Sequence, residues 1–174
     1  MFILKNKNLS KEAIQALKAK LEENGGSIEM QRGSGDVSRV TCTFNPPATV
    51  NELNDFVRKT KFILPEDYIN FLKICNGCRL FDDIEYGGES ELYSLEEILL
   101  YTYEDPFYGR FKIAYIYQDN IVIDFRRYME GDKNYLMVKD HLSGFDECIA
   151  LGMSFGLWLD KFIKSRGEKF WNCP

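Results

Sequence analysis

The chain is short of the residues that most catalytic sites need. Its 174 residues include a single histidine, His141, and five cysteines. One histidine leaves little scope for base-assisted nucleophiles, because a hydroxyl without a nearby base reacts poorly. The sequence also lacks the pattern Gly-x-x-x-x-Gly-Lys-Ser/Thr and a dinucleotide-binding glycine fingerprint, so it offers no phosphate-binding loop. We therefore expect a protein without enzymatic activity and without a cofactor.

Long apolar runs are missing as well. No stretch is long enough to span a bilayer, and the three apolar residues between Met1 and Lys5 are too few for a signal-peptide core. An odd number of cysteines fits a reducing compartment, where thiols behave as small core residues. With 45% hydrophobic and 28% charged residues, the composition is that of an ordinary globular protein. These features predict one cytoplasmic domain, residues 1–174, without membrane contact.

One cysteine pair has the spacing of a redox or metal motif, Cys75-x-x-Cys78. Thiolates are stabilised at helix N-termini, but this pair follows a predicted helix, where the partial negative charge disfavours the thiolate. A structural zinc site needs four ligands, and no second pair is available. We predict that both thiols are reduced, metal-free core groups. The remaining candidate ligands are Cys42, Cys148, Cys173 and His141.

A second motif, residues 152–156, matches the Gly-x-Ser-x-Gly pattern of a hydrolase nucleophile elbow. In enzymes with this elbow the catalytic histidine follows the serine, whereas His141 precedes Ser154. The alternative is that Ser154 caps the last helix, and we favour it. A small serine hydrolase using Ser154 remains a remote alternative.

Hydrophobic periodicity predicts helices at both ends of a block of strands. Capping boxes, Thr49 with Glu52 and Ser94 with Glu97, mark two helix starts, and Pro65 suits the first turn of a third helix. The predicted class is α+β, with a mainly antiparallel central sheet flanked by helices. In chain order we predict a helix at 10–24, a loop at 25–38, a strand at 39–44, a helix from Thr49, a helix from Leu64-Pro65 to Asn76-Gly77, a short helix from Ser94, two strands joined by a turn at 118–120, a strand at 134–140, and a final helix bearing Phe155, Trp158, Leu159, Phe162 and Ile163.

Charge is distributed unevenly along the chain. The formal net charge is -5, from 27 acids and 22 bases. Between Leu80 and Gly109 there are nine acids and neither lysine nor arginine, and aromatic residues are interleaved with them. Without this segment the chain would carry more bases than acids. The nine acids are Asp82, Asp83, Glu85, Glu89, Glu91, Glu96, Glu97, Glu104 and Asp105, and the aromatic residues are Phe81, Tyr86, Tyr93, Tyr101, Tyr103, Phe107 and Tyr108.

This acidic and aromatic segment predicts a docking surface for a basic protein. Tyrosines are enriched at interface hot spots, and clustered carboxylates steer cationic partners. We expect about half of the rings to be core residues instead. Nucleic acid is not an expected partner, because the chain lacks a basic stripe. The candidate partner-binding residues are Asp82, Asp83, Glu85, Tyr86, Glu89, Glu91, Tyr103, Glu104 and Asp105.

A series of short motifs resembles the SUKH superfamily, named for fungal cell-wall regulators of the Smi and Knr type. The similarity covers residues 49–164, and Cys78 stands where the family has a further glycine. The first 48 residues form a predicted helix-loop-strand extension outside it. The motifs are Leu64-Pro65-x-x-Tyr68-x-x-Phe71-Leu72, Asn76-Gly77, Leu92 to Ile98, Ile113-Ala114, Ile121 to Asp124, Ile149-Ala150 and Ser154-Phe155.

The resemblance implies an α+β fold and a function through binding. Bacterial members look like immunity proteins of polymorphic toxin systems, which bind and neutralise a cognate toxin, often a nuclease or deaminase. Other members resemble general interaction modules. We therefore expect an immunity protein, with a regulatory scaffold unrelated to any toxin as the main alternative.

Overall fold

The computed structural model describes residues 8–31, 35–102 and 109–172. Within these ranges, no helix combines the length and apolar composition that a bilayer span requires. The helices are α1 (Leu9–Glu23), α2 (Val50–Thr60), α3 (Glu66–Leu72), α4 (Leu95–Tyr101), α5 (Phe125–Met129) and α6 (Phe155–Lys164), with 3-10 turns at Phe145–Glu147 and Phe170–Asn172.

Eight described strands form one antiparallel sheet whose spatial order equals the chain order. This meander confirms the predicted α+β class. From β2 onwards, each strand pairs with the strand that precedes it in the chain. The strands are β1 (Ile28–Gln31), β2 (Val37–Phe44), β3 (Cys78–Asp83), β4 (Ser90–Leu92), β5 (Arg110–Ile116), β6 (Asp119–Asp124), β7 (Leu136–Asp140) and β8 (Ile149–Ala150).

The main core lies between one face of the sheet and the helices. Its largest fully buried side chains come mainly from α3, α6 and the α5 region, and α1 packs against both α3 and α6. On the opposite face a smaller cluster of Val122, Met137 and Phe145 is buried beside β6 and β7. Alternate residues of β6 therefore contribute to two separate apolar clusters, as the two-residue period of a strand requires.

The predicted helix starts are confirmed in detail. Thr49 Oγ1 accepts a hydrogen bond from the Glu52 amide, and the Glu52 carboxylate accepts one from the Thr49 amide. Ser94 and Glu97 form the same reciprocal pair at α4. Ser154 caps α6 by accepting from the Leu157 amide at 3.5 Å.

Three local predictions are wrong. The predicted loop at 25–38 contains β1, because glycine at both ends hid a four-residue edge strand. Helix α3 ends at Leu72, before the expected stop at Asn76-Gly77, and the chain then turns into β3. The hairpin turn lies at Tyr117 and Gln118, both with positive φ, whereas we expected it at 118–120.

The Asp67 carboxylate joins α3 to α6 and to the segment before β7. One carboxylate oxygen accepts a hydrogen bond from the Tyr135 hydroxyl at 2.5 Å, and the other accepts from the Gly156 amide at 2.7 Å. The Ser10 hydroxyl in α1 donates to the Asp67 backbone carbonyl at 2.6 Å. Burial, followed by the charge of Asp67, raises the pKa of Tyr135 well above its ordinary value, so the phenol remains a donor.

Removing the Asp67 carboxylate should destabilise the protein strongly. Asp67→Ala leaves the Tyr135 hydroxyl and the Gly156 amide without their acceptor, and each orphaned buried donor costs about 1–3 kcal/mol. We expect the free energy of unfolding to fall by about 3 kcal/mol in urea denaturation. Glu96→Ala, which removes an exposed acid from the first turn of another helix, α4, is the control. Equal losses for both variants would contradict a special role for Asp67.

The final helix should contribute a large share of the stability. Trp158 and Phe162 are fully buried and stacked, with ring centroids 5.2 Å apart. We expect Phe162→Ala to lower the free energy of unfolding by about 3–5 kcal/mol, because it removes a buried ring and leaves a cavity. Lys164→Ala, which changes a side chain 73% exposed on the same helix, should cost less than about 1 kcal/mol. A negligible shift of the Phe162→Ala denaturation midpoint would show that α6 is peripheral.

Candidate protein-interaction surface

The loop between β3 and β4, residues 84–89, projects from one end of the sheet. Tyr86 is 87% exposed and Ile84 is 54% exposed, and the carboxyl groups of Glu85 and Glu89 lie on the same loop at exposed positions. The loop is closed by paired backbone hydrogen bonds between Asp83 and Gly87. A short, anchored loop therefore presents one aromatic ring and two acids to solvent.

Asp82 and Asp83, which we expected to be exposed, are engaged within the protein. The Asp82 carboxylate accepts from the Arg79 guanidinium at 2.8 Å and 3.2 Å, and its side chain is 16% exposed. Asp83 is buried, and its carboxylate accepts from the Glu85 and Tyr86 amides at 2.9 Å and 3.2 Å. These two acids shape the loop, whereas the side chains of Glu85 and Glu89 are exposed to solvent.

Arg79 neutralises part of the acidic segment from just outside it. Besides Asp82, its guanidinium lies 3.7 Å from the Glu91 carboxylate and donates to the Gly88 carbonyl oxygen at 2.8 Å. The hydrogen bond to Asp82 raises the pKa of Arg79 above its ordinary value. Glu97 is likewise used in the α4 capping box. The sequence count of nine acids therefore overstates the negative charge that this region offers.

The loop forms one side of a depression of about 790 Å³ at the sheet end. The opposite side comes from Asp36, Val37 and Ser38 at the start of β2, and Tyr117 of the β5–β6 turn completes it. The strand register brings these parts together, because Ser90 pairs with Ile116 and the Tyr117 amide donates to the Glu89 carbonyl at 3.0 Å. Val37, at 64% exposed, adds apolar surface beside Tyr86.

Sequence reasoning missed Asp36, Val37 and Tyr117. Asp36 and Val37 lie in the stretch that we predict to be a loop, and Tyr117 lies in a predicted strand. The apolar alternation of β2 gives no signal here, because Val37 is out of phase with Val40 and belongs to the strand through its pairing with Gln31. Three predicted residues of the surface, Tyr103, Glu104 and Asp105, lie outside the described part of the chain.

The described rings of the acidic segment divide into core and surface residues, as we expected. Phe81 and Tyr93 are buried, whereas Tyr86 and Tyr101 are exposed. Burial, together with nearby carboxylates, raises the pKa of Tyr93, so it stays a neutral phenol. Tyr86 is therefore the candidate anchor among the described tyrosines of this segment.

The Gly-x-Ser-x-Gly motif has a structural explanation at each of its three positions. Gly152 has φ +66° in the turn before α6, and Ser154 is the N-terminal cap. At Gly156 a Cβ atom would lie 3.2 Å from the Asp67 carboxylate, so the absent side chain allows the close approach of that acceptor. His141 lies in the turn after β7, with its Nδ1 atom 3.1 Å from the Gln118 carbonyl oxygen.

The paired cysteines lie in the core. Cys75 and Cys78 are both buried at the junction between α3 and β3, and Cys42 of β2 lies nearby, with its sulfur accepting from the Phe81 amide at 3.4 Å. Burial raises the pKa of Cys78 well above its ordinary value, and it raises the pKa of Cys42 to about 11. These raised pKa values keep the thiols of Cys78 and Cys42 protonated and unreactive at neutral pH.

We predict that Cys75 and Cys78 are inert in the folded protein. Burial blocks access of Ellman's reagent to both sulfurs, and the pKa of Cys78, raised by burial, leaves its reactive thiolate scarce at about pH 8. Both thiols should react at least about 100-fold faster after denaturation in guanidinium, followed by absorbance and assigned by mass spectrometry. Cys148, which is partly exposed, serves as the internal control. Stoichiometric zinc in protein purified without chelator would contradict this prediction.

Comparison with known proteins places these features in a family. A sequence model of the SMI1/KNR4 family (SUKH-1) matches residues 47–161. The uncharacterized protein YobM of Bacillus subtilis strain 168 is 33% identical over 174 residues, which cover 95% of this chain and 92% of YobM. The uncharacterized protein YnaB of the same strain is 31% identical over 132 residues, or 75% of this chain and 87% of YnaB. The YobM similarity therefore includes most of the first 48 residues.

Proposed function

The chain belongs to the SMI1/KNR4 family (SUKH-1), and from this premise we propose that it is a non-catalytic immunity protein that binds and neutralises a cognate bacterial toxin. The toxin is a basic protein, such as a nuclease or a deaminase, and the two meet in the cytoplasm. The observation that carries the proposal is the exposed loop with Glu85, Tyr86 and Glu89 beside the depression at the sheet end.

Charge supports a basic partner. Among the described residues that line the depression, three are acids, Asp36, Asp83 and Glu89, and none is a lysine or an arginine. Lys169 lies close to it, but its ammonium group makes contacts within the protein. It pairs with Asp119 at 3.0 Å and donates to the Tyr117 carbonyl oxygen at 2.9 Å. Proteins that bind or modify nucleic acids carry positively charged sites that hold phosphates. An acidic surface is attracted to the same sites.

We also propose that residues 1–48 belong to the same single domain and to its binding function. Helix α1 packs on α3 and α6, and β1 and β2 complete the sheet at its first edge. Asp36 and Val37 then supply one wall of the depression. In this proposal the extension is part of the binding site and not an accessory segment.

Reversing the exposed acids should slow association with the partner. Glu85→Lys/Glu89→Lys removes the steering charge at the loop tip, and we expect the association rate at low salt to fall about tenfold and to lose most of its salt dependence. The matched control is Glu96→Lys/Glu130→Lys, which makes the same change in net charge at the other end of the sheet. Equal association rates for the two double variants would show that the loop is only a solvated surface.

Removing the exposed ring should act on dissociation instead. Tyr86→Ala should speed dissociation by about tenfold or more while leaving the association rate nearly unchanged, because a hot-spot side chain stabilises the bound state. The free energy of unfolding should change little, since the ring is 87% exposed. Both rates can be measured by surface plasmon resonance.

The partner to test first is the product of the adjacent upstream gene. Co-purification of this chain with a large secreted toxin would separate an immunity protein from a general scaffold.

A further inference from the structure

A second, smaller pocket lies next to the depression, between the sheet and the turn after α6. Its volume is about 230 Å³, below the range of drug-sized ligand sites and sufficient for a single ring. Met30 of β1, Phe81 of β3 and Tyr117 line it, and the turn at 165–168 forms the far side. Tyr117 also lines the depression, and Ser90 of this pocket directly follows Glu89. The two concavities therefore adjoin each other.

Ser90 lines this pocket and carries a buried polar atom without a partner in the described part of the chain. The residue is 1% exposed, and its Oγ has no hydrogen-bond partner among the described residues. A buried hydroxyl without a partner is less favourable than one that is hydrogen-bonded. A ligand that brings a hydrogen-bonding group to Ser90 would recover this loss, which makes the hydroxyl a recognition element.

The charges around the pocket favour a neutral ligand. Arg166 and Glu168 both lie at exposed positions of the lining, and their opposite charges balance. The other polar side chains of the lining, Gln31, Ser165 and the buried Ser90, are uncharged. Burying a guanidinium, an ammonium or a carboxylate against the Ser90 hydroxyl would lose far more hydration than one hydrogen bond returns.

The apolar part of the lining favours an aromatic ring. A phenylalanine, a methionine and a tyrosine together offer the edge, face and sulfur contacts that rings prefer. Phe81 is held there with φ 58°, a strained conformation for a bulky residue. Gly167 makes room for it, because a Cβ atom at that glycine would lie 2.8 Å from the Phe81 ring.

We propose that this pocket receives the side chain of a tyrosine from the bound partner, with its phenolic hydroxyl hydrogen-bonded to Ser90 Oγ. The source of the tyrosine rests on the proposed function, but the chemistry of the pocket belongs to this chain alone. In this proposal the acids beside the pocket speed association with the partner, and the buried tyrosine ring slows its dissociation.

The test on the free protein uses p-cresol, the side chain of tyrosine, and toluene, the same ring without the hydroxyl. In amide chemical-shift titrations, p-cresol should perturb Phe81, Ser90 and Gly167, and it should bind about threefold to tenfold more tightly than toluene, the ratio that one neutral hydrogen bond supplies. Absence of shifts at these amides up to the solubility of p-cresol would overturn the proposal. So would equal affinity for the two probes.

The variant Ser90→Ala separates recognition from folding. It should keep or raise the melting temperature, because it removes an unsatisfied buried hydroxyl, and yet it should abolish the preference for p-cresol over toluene. Tyr68→Phe is the matched control: it removes another buried hydroxyl without a partner among the described residues, in the helical core and outside this pocket, and should leave the preference intact. A preference that survives Ser90→Ala would overturn the proposal. Should Ser90→Ala fail to fold, the comparison of the two probes on the unmodified protein decides.

A final measurement distinguishes the pocket from the proposed function. In the complex, Ser90→Ala should speed dissociation about threefold to tenfold, whereas Tyr68→Phe should not. An unchanged dissociation rate in a stable complex would show that no partner tyrosine occupies the pocket. If reversing Glu85 and Glu89 leaves association unchanged, the acidic face is wrong, and the p-cresol result still decides the chemistry of the pocket.

Discussion

The contact between the Asp67 carboxylate and the start of α6 fixes the arrangement of the helical layer. A helix N-terminus has amide groups without intrahelical partners, and α6 receives an acceptor for one of them from a residue 89 positions earlier in the chain. The same carboxylate accepts from Tyr135, whose hydroxyl in turn accepts from the Phe155 amide at 3.2 Å. A single acid therefore relates α3, α6 and the entry to β7. Since α1 is tied to the Asp67 backbone through Ser10, the fourth element of this layer depends on the same position.

The sequence predicted those parts of the fold whose signals are local. Capping boxes need only four residues, and Thr49-Glu52 and Ser94-Glu97 form as written. The stripe of α6 is long enough to show its period. By contrast, β1 and β4 have four and three residues, too few to establish an alternation, and they exist because neighbouring strands supply their hydrogen bonds. The role of Gly156 was equally hidden, since its reason is the carboxylate of Asp67.

The sequence indicated the exposed residues of the β3–β4 loop but not the residues around them. The sequence showed where acids accumulate, and Glu85, Tyr86 and Glu89 do lie exposed on one loop. The sequence did not show that Arg79 is paired with Asp82. Two residues three positions apart in a regular strand point to opposite faces, so this ion pair depends on the local backbone conformation. A count of charges cannot separate acids that build a loop from acids that face solvent, and hydrogen bonds to amides make that distinction.

The meander itself explains why one end of the sheet is available for binding. In an antiparallel sheet with sequential order, alternate connections meet at the same end, and here the helices α2 to α5 all lie in connections of one set: β2–β3, β4–β5 and β6–β7. The other set joins β1–β2, β3–β4, β5–β6 and β7–β8 and, in its described residues, contains turns and one 3-10 segment without an α-helix. Side chains at that end, such as Val37, Tyr86 and Tyr117, consequently have no helix to cover them. The α-helices of the described connections all lie at the opposite end, which leaves a defined edge of loops here, where Glu85, Tyr86 and Glu89 have exposed side chains.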